Sequence, residues 1–413
     1  MWSHVAGLAL SVSFLLQGLI APAPALIPPR HLAQPRSLQR ARLSAPVSNQ
    51  LPITNYQLPI TTHTLTHSHT PTPPHASLPP ICSSTLQLEN PAACPNLGPG
   101  EYASRIIAAG LPYPFPALPI SPVPTYRGLT PAAYAKIITA TAPVYRHPYD
   151  ALAGLPPLRR FETGYDYVSL LGQVNVGGRR FYQINRGEYM PAEDLQTVRP
   201  SSFQGRFFAA PPGGPVGWVL NNVQPSAAPG QPPELDAPGV GRYQSFDVLA
   251  TQKVGEWNWY LIGPNQWIEQ RAVALVQPSP PGGSGGAGGV VIAVDTYEQS
   301  LGVYVNGGLL FATLISSGSS YFPTRPGTFQ VWAKLDAGRM SGTYLPDRRD
   351  YYFLEDVPWI LYYDGDRALH GAYWHDNFGI RSSHGCVNLS PLDARWLFNF
   401  AQVGSTVVIF SSN

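Results

Sequence analysis

Near the C-terminus the chain reads His370-Gly371-Ala372-Tyr373-Trp374-His375 and, shortly after, Ser383-His384-Gly385-Cys386-Val387-Asn388-Leu389. A thiol attacks only as thiolate, and an imidazole within hydrogen-bond reach is the usual means of making one. Gly371 and Gly385 stand beside the two candidates and leave room for a substrate backbone to approach. The competing reading is a buried cysteine packed as a small hydrophobe, with surface histidines nearby. Against it, Cys386 follows a loop rich in Gly, Asn, Asp and Ser, where core packing rarely places a thiol. The other two cysteines, Cys82 and Cys94, are close in sequence and are expected to bridge in an oxidising compartment, which leaves Cys386 as the odd thiol.

The elements that must hold these residues are short strands. Val290 to Val294 is apolar and β-branched, and Gly302 to Val305 alternates up to an Asn306-Gly307 turn. Leu309 to Ile315 then returns as a hairpin partner. Thr328 to Trp332, Trp359 to Tyr363, Ala368 to His370 and Thr406 to Phe410 are further candidates, with Asp364-Gly365 as a second hairpin turn. One helix stands out. Ser390 suits the N-cap, Pro391 the first turn, and Asp393 completes a Ser-x-x-Asp box; Leu392, Trp396 and Phe400 recur every fourth residue, and Gly404 stops it. Its positive end and a neighbouring imidazole are expected to bring the thiol below the free value of about 8.5.

Upstream, Phe181 to Met190 aligns with Trp259 to Ile268, 78 positions later, each an aromatic strand, tight turn and aromatic strand alternating at period two. Two small β-barrel-like repeats are therefore placed at 135–200 and 205–277. Residues 278–289, rich in Pro, Gly and Ser, read as a flexible linker, and 290–411 as a final single domain. Residues 26–124 read as a Pro-, Thr- and Ser-rich disordered tether containing the small Cys82–Cys94 element, because such a stretch buries too little apolar surface to offset its entropy. Residues 1–25 read as a signal peptide: an apolar run from Val5 to Ile20, then Ala21-Pro22-Ala23-Pro24-Ala25. An uncleaved N-terminal anchor is the alternative, and no other segment is apolar and long enough to cross a bilayer. Either way the chain is expected to work outside the cytoplasm.

Composition narrows the function classes. Of 413 residues only 12% are charged and the formal net charge is +2. No basic run or phosphate-binding glycine motif points to nucleic acid or nucleotide. Low charge with many Tyr, Trp, Thr and Val favours a mainly β protein: a C-terminal β-sandwich with one helix after the cysteine loop, preceded by the two repeats and the tether.

His370-Gly371, a gap, then Ser383-His384-Gly385-Cys386-Val387-Asn388 resembles the signature of the L,D-transpeptidases, the YkuD-like catalytic domain of bacterial cell walls. Pro323-Thr324-Arg325-Pro326-Gly327-Thr328-Phe329 is similar to that family's Thr-Pro-x-Gly-x-Phe stretch, with the first two residues inverted. The repeats loosely resemble bacterial SH3-like modules. The resemblance implies a secreted enzyme that acylates Cys386 with a peptidoglycan stem tetrapeptide, expels D-alanine and passes the acyl group to an amine. It implies His370 as base and later acid, the Gly371 carbonyl as its orienting group, and backbone N–H groups around Gly385 and Cys386 as oxyanion donors. Ser383 and His384 would shape the loop by hydrogen bonds within it. Asn388 stands where many relatives carry Arg, so an Arg contact to a substrate carboxylate is not implied there. Tyr352, Trp374 and Met340 are candidate pocket walls, with core packing as the competing role.

Four alternatives compete with this reading. Hydrolysis of the same acyl-enzyme would give an L,D-carboxypeptidase. A zinc site of His370, His375, His384 and Cys386 has permissible residue types, but lacks a second thiol or a regular His pair. A non-catalytic wall-binding protein sits poorly with an intact Cys386 and His370. A generic cysteine peptidase needs an Asn or Asp behind the histidine, and none is spaced for it. The expectation is therefore no cofactor and no metal, peptidoglycan stem peptides as partners, no nucleic acid, and no assigned oligomeric state.

Overall fold

The two aromatic echoes fold into the same unit twice. In the first, strands Gly172–Val176, Arg179–Asn185 and Glu188–Pro191 form an antiparallel sheet, and a 3-10 turn, Ala192–Asp194, leads to strand Leu195–Thr197. In the second, Ala250–Val254, Trp257–Gly263, Gln266–Glu269, the turn Gln270–Ala272 and Val273–Val276 repeat that order at the same spacing. Even the irregularity recurs: the register shifts between Gln183 and Asn185 in one copy and between Leu261 and Gly263 in the other. Gly177 and Gly255 occupy equivalent hairpin turns with φ of 57° and 62°, a left-handed backbone that glycine adopts at little cost. Each unit has its own apolar centre, with Val168, Ile184 and Met190 buried in the first and Val219, Phe246 and Ile268 in the second.

This computed structural model describes residues 99–126, 128–162, 164–236, 238–283 and 289–412, all within one unit, Ala76–Asn413. The expected signal peptide at 1–25, the tether up to residue 98 and the Cys82–Cys94 bridge lie outside the described residues. The stretch 99–124, expected to continue the disordered tether, is ordered. Pro99–Ala108 is a helix with Ile106 fully buried, and Tyr102 donates to the Asp150 carboxylate. Phe115 stacks on His147 with ring centres 4.2 Å apart. A few aromatic anchors thus outweigh the high proline content of this stretch.

The C-terminal domain is a two-sheet sandwich. Val290–Asp295, Ser300–Val305 and Gly308–Leu314 run as an antiparallel meander, Thr406–Phe410 pairs in parallel with the first of them, and Gly327–Gln330 lines the far edge. The second sheet carries Val387–Leu389, Arg367–Gly371 and the long strand Tyr352–Asp364, which also pairs with Ala333–Gly342. Ile292, Leu301, Phe311, Leu361, Leu369 and Val387 close the core between them, sealed by the single helix Pro391–Phe400. Ser390 caps that helix by accepting the Asp393 N–H at 3.3 Å. The reciprocal half of the expected box is not formed, because the Asp393 carboxylate accepts instead from Thr313 and from the Gly205 N–H.

The second sheet does not stop at the expected linker. The first three residues of Tyr352–Asp364 pair in parallel with Tyr165–Leu170 of the first repeat, Tyr352 opposite Tyr165 and Leu354 opposite Tyr167. Strand Tyr165–Leu170 pairs on its other side with Ala133–Ile137, which in turn pairs with Leu195–Thr197. An edge strand presents unpaired N–H and C=O groups, and here the first repeat supplies the partner. The linker connects the chain, while the sheet joins the units.

Candidate functional site

Cys386 lies one residue before strand Val387–Leu389, whose parallel pairing sets Leu369 opposite Val387 and His370 opposite Asn388. That register puts the thiol beside Ala368, whose backbone hydrogen-bonds it. His370, two residues along from Ala368, points to the same face of the sheet. Both line one cleft of about 820 Å³. Cys386 is half-buried and His370 is buried.

Burial dominates the electrostatics. It pushes the Cys386 thiol up to about 11; the Ala368 hydrogen bond opposes this, Asp366 adds to it, and Arg367 also opposes it. The expectation of a thiol below its free value is therefore corrected: helix Pro391–Phe400 begins beyond an intervening strand, and its field does not offset desolvation. Burial drives His370 the other way, down to about 4. The resting pair is a neutral thiol and a neutral imidazole. His370 Nδ1 lies 3.4 Å from the Gly371 carbonyl, which can only accept, so the proton belongs on Nδ1 and the lone pair on Nε2.

The cysteine loop is tied down by its neighbours. The Ser383 hydroxyl donates to the Cys386 carbonyl at 2.5 Å and accepts the Gly385 N–H at 3.1 Å. Thr324 reaches in from the loop before strand Gly327–Gln330, accepting the Gly318 N–H at 2.8 Å and donating to the Gly385 carbonyl at 3.0 Å. Gly385 sits at φ 117°, where a side chain would be strained. Its N–H, expected to serve an oxyanion, is engaged by Ser383.

His384 does not bond within its own loop, as the sequence suggested, but reaches across the cleft. Its ring stacks on Phe322 at 4.6 Å and lies 4.9 Å from Tyr352, it bonds the Asp350 backbone, and its carbonyl accepts from Tyr344 at 3.2 Å. The partners explain it: Phe322, Tyr344 and Tyr352 offer aromatic faces where the loop itself has none. Tyr352, Trp374 and Met340 all line the cleft, with the Trp374 ring 5.7 Å from that of His370.

His375 lines the same cleft, with both ring nitrogens engaged by asparagines. Its Nδ1 accepts the Asn377 N–H at 3.1 Å and its Nε2 meets the Asn388 side-chain amide at 2.9 Å. Among the described residues no group of three His, Cys, Asp or Glu side chains is arranged to hold a metal ion. Sequence reasoning missed part of the wall: Tyr165 with Gly164 from the first repeat, and Arg348, Arg349 and Asp350 from segment 343–351. The second group had a legible signal, a charged Asp347-Arg348-Arg349-Asp350 run in a chain otherwise poor in charge. Tyr165 had none, since only the sheet pairing brings it there.

Residues 289–409 match the family model of YkuD, the L,D-transpeptidase catalytic domain. L,D-transpeptidase 2 of Mycobacterium tuberculosis is 29% identical over 133 residues, 30% of this chain and 31% of that protein, so the match spans about a third of the relative's length. Among solved structures, the catalytic domain of the E. faecium L,D-transpeptidase is 29% identical, covering 29% of this chain and 96% of that one, with a TM-score of 0.27. An L,D-transpeptidase from Mycobacterium smegmatis is 24% identical over 37% of this chain and 66% of that one, TM-score 0.28.

Proposed function

We propose, from the premise that residues 289–409 form a YkuD-family domain, that this protein is an extracytoplasmic L,D-transpeptidase acting through Cys386 on peptidoglycan stem tetrapeptides. The observation that carries the reading is one cleft lined by both Cys386 and His370, with His370 Nδ1 3.4 Å from the Gly371 carbonyl.

In the first half-reaction Cys386 Sγ forms a bond to the carbonyl carbon before the terminal D-alanine, and its proton passes to His370 Nε2. The carbonyl electrons move to oxygen, where the Cys386 N–H is the donor proposed to meet them. On collapse the C–N bond breaks, the D-alanine nitrogen takes the proton from Nε2, and a thioester remains. An acceptor amine then attacks the thioester and gives its proton to Nε2. The C–S bond breaks and the thiol is restored. A neutral starting pair suits this sequence, because thiolate and imidazolium develop together only as the bond forms. Water in place of the amine would give the carboxypeptidase product.

Incubation of the full chain with stem tetrapeptide, followed by mass analysis, tests the reading. D-alanine release with an acyl adduct on Cys386 is expected. Cys386→Ser, which keeps the side-chain shape, is expected to lower the rate by about 10³-fold or more. Release at the native rate from that variant would remove the thiol from the mechanism.

A further inference from the structure

We propose that the far end of the cleft is a carboxylate-binding subsite, formed by Arg348 of the catalytic domain and Tyr165 of the first repeat, which selects donor stem peptides by the charge of a residue upstream of the scissile bond. The proposal rests on the transpeptidase reading above and deepens it.

Tyr165 reaches the cleft through sheet pairing. It stands opposite Tyr352, whose ring is 4.9 Å from that of His384, two residues before the thiol-bearing Cys386. One further inter-strand spacing, about 5 Å, separates Tyr165 from Tyr352, so an extended peptide running past His384 reaches it within a few residues. The residue is 41% exposed, and Lys136, on the neighbouring strand, places its ammonium 5.8 Å from the ring centre.

The charge balance at this end favours an anion. Three charged side chains line the cleft: Arg348, Arg349 and Asp350. The Asp350 carboxylate is engaged inside its own loop, accepting from the Thr343 hydroxyl and from the N–H groups of Tyr344 and Leu345. Arg349 faces Asp347 at 3.6 Å. Arg348 has no carboxylate partner among the described residues; its guanidinium lies over the Tyr351 ring, 4.5 Å from the centre. Its backbone is fixed at φ 56°, with its N–H donating to the Leu345 carbonyl and its own carbonyl accepting from Tyr351, both at 3.0 Å. A planar guanidinium held on an aromatic face, with its N–H fork free, matches a carboxylate by two parallel hydrogen bonds. The substrate class supplies one: a γ-linked glutamate leaves its α-carboxyl free just upstream of the acyl residue, and an amide at that position removes the charge.

The experiment uses the full chain and two synthetic tetrapeptide donors, identical except for a free α-carboxylate or a carboxamide on the γ-linked glutamate. The wild type is expected to favour the carboxylate donor by about 10-fold in kcat/KM, mainly through KM. Arg348→Gln brings that ratio to about one and Arg348→Lys keeps part of it, while Tyr165→Ala raises KM for both donors. Equal use of the two donors by the wild type, or an unchanged ratio in Arg348→Gln, overturns the subsite. A wild type that releases no D-alanine from either donor and gains no mass at Cys386 overturns the transpeptidase reading, and the subsite with it.

Discussion

His375 and Asn388 fix each other's hydrogens. Since His375 Nδ1 accepts the Asn377 N–H at 3.1 Å, the ring proton must sit on Nε2; the Asn388 side-chain nitrogen placed 2.9 Å away would then set N–H against N–H, so the amide is assigned in its flipped orientation, with Oδ1 facing the ring. Asn388 also pairs in register with His370. Through this bond His375 braces the strand that follows the thiol.

Asn388→Asp tests that bond. Burial holds His375 down at about 4. A carboxylate at the acceptor position favours imidazolium and is expected to raise this value by about 1–3 units. The imidazole C–H signals of His375, followed by NMR across pH, give the readout. An unmoved titration would show that residue 388 does not face the ring.

The thiol's elevated pKa predicts an unusual pH profile for its chemistry. With Cys386 at about 11, only about one thiol in a thousand is ionised at pH 8, against about a quarter of free cysteine. Raising the pH toward 11 increases the thiolate, so alkylation by iodoacetamide should climb about tenfold per pH unit and stay slower than a free thiol's at pH 8. The proposed turnover is expected to behave differently, because it starts from the neutral pair. That form dominates above the His370 value of about 4 and below about 11, so kcat/KM is expected to be level from about pH 5 to 10. Alkylation that levels off near pH 7, read by intact mass, would reveal a resting ion pair instead.

Much of this site was legible in residue types, and the part that was not depended on distant pairing. The helix after the cysteine loop follows from Ser390, Pro391 and the four-residue apolar spacing, and it forms over Pro391–Phe400. The duplicated strands follow from period-two aromatic alternation. The thiol's elevated pKa was not visible, because desolvation depends on what packs around residue 386 and not on its neighbours in the chain. Nor was Tyr165, separated by nearly half the chain from the strand it joins. The half-made capping box shows the same limit: local spacing suggested an Asp393 bond to its own helix, and Thr313 and Gly205 compete for the carboxylate.

Thr324 carries more of the loop than its position suggests. Its hydroxyl satisfies the Gly318 N–H and the Gly385 carbonyl at once, in a buried setting. Thr324→Val keeps the shape and leaves both backbone groups without that partner, so a loss of about 2–4 kcal/mol is expected. Thr324→Ser should retain most of the stability. Denaturant midpoints of the two variants make the comparison, and a valine variant as stable as the serine one would show that the bridge contributes nothing.

The second repeat grips the loop after His375 through Tyr243 and its neighbour Arg242. Tyr243, itself at φ 68°, donates from its hydroxyl to the Asp376 carbonyl at 2.7 Å and accepts the Phe378 N–H at 3.1 Å. Arg242 also binds the Asp376 carbonyl, and Ser201 the Asp376 carboxylate, so the loop holding His375 and Asn377 is gripped from outside its own domain. Phe378 is buried beneath these bonds, and its N–H has little access to water once the phenol is gone. Tyr243→Phe is therefore expected to cost about 1–3 kcal/mol and to loosen residues 375–378 before the rest of the domain unfolds. Hydrogen exchange resolved by peptide should show faster exchange across 374–380 while strand Val290–Asp295 keeps its protection. Uniform acceleration over the whole domain would mean that the phenol supports global stability only; an unchanged loop would mean that Arg242 and Ser201 suffice to hold it.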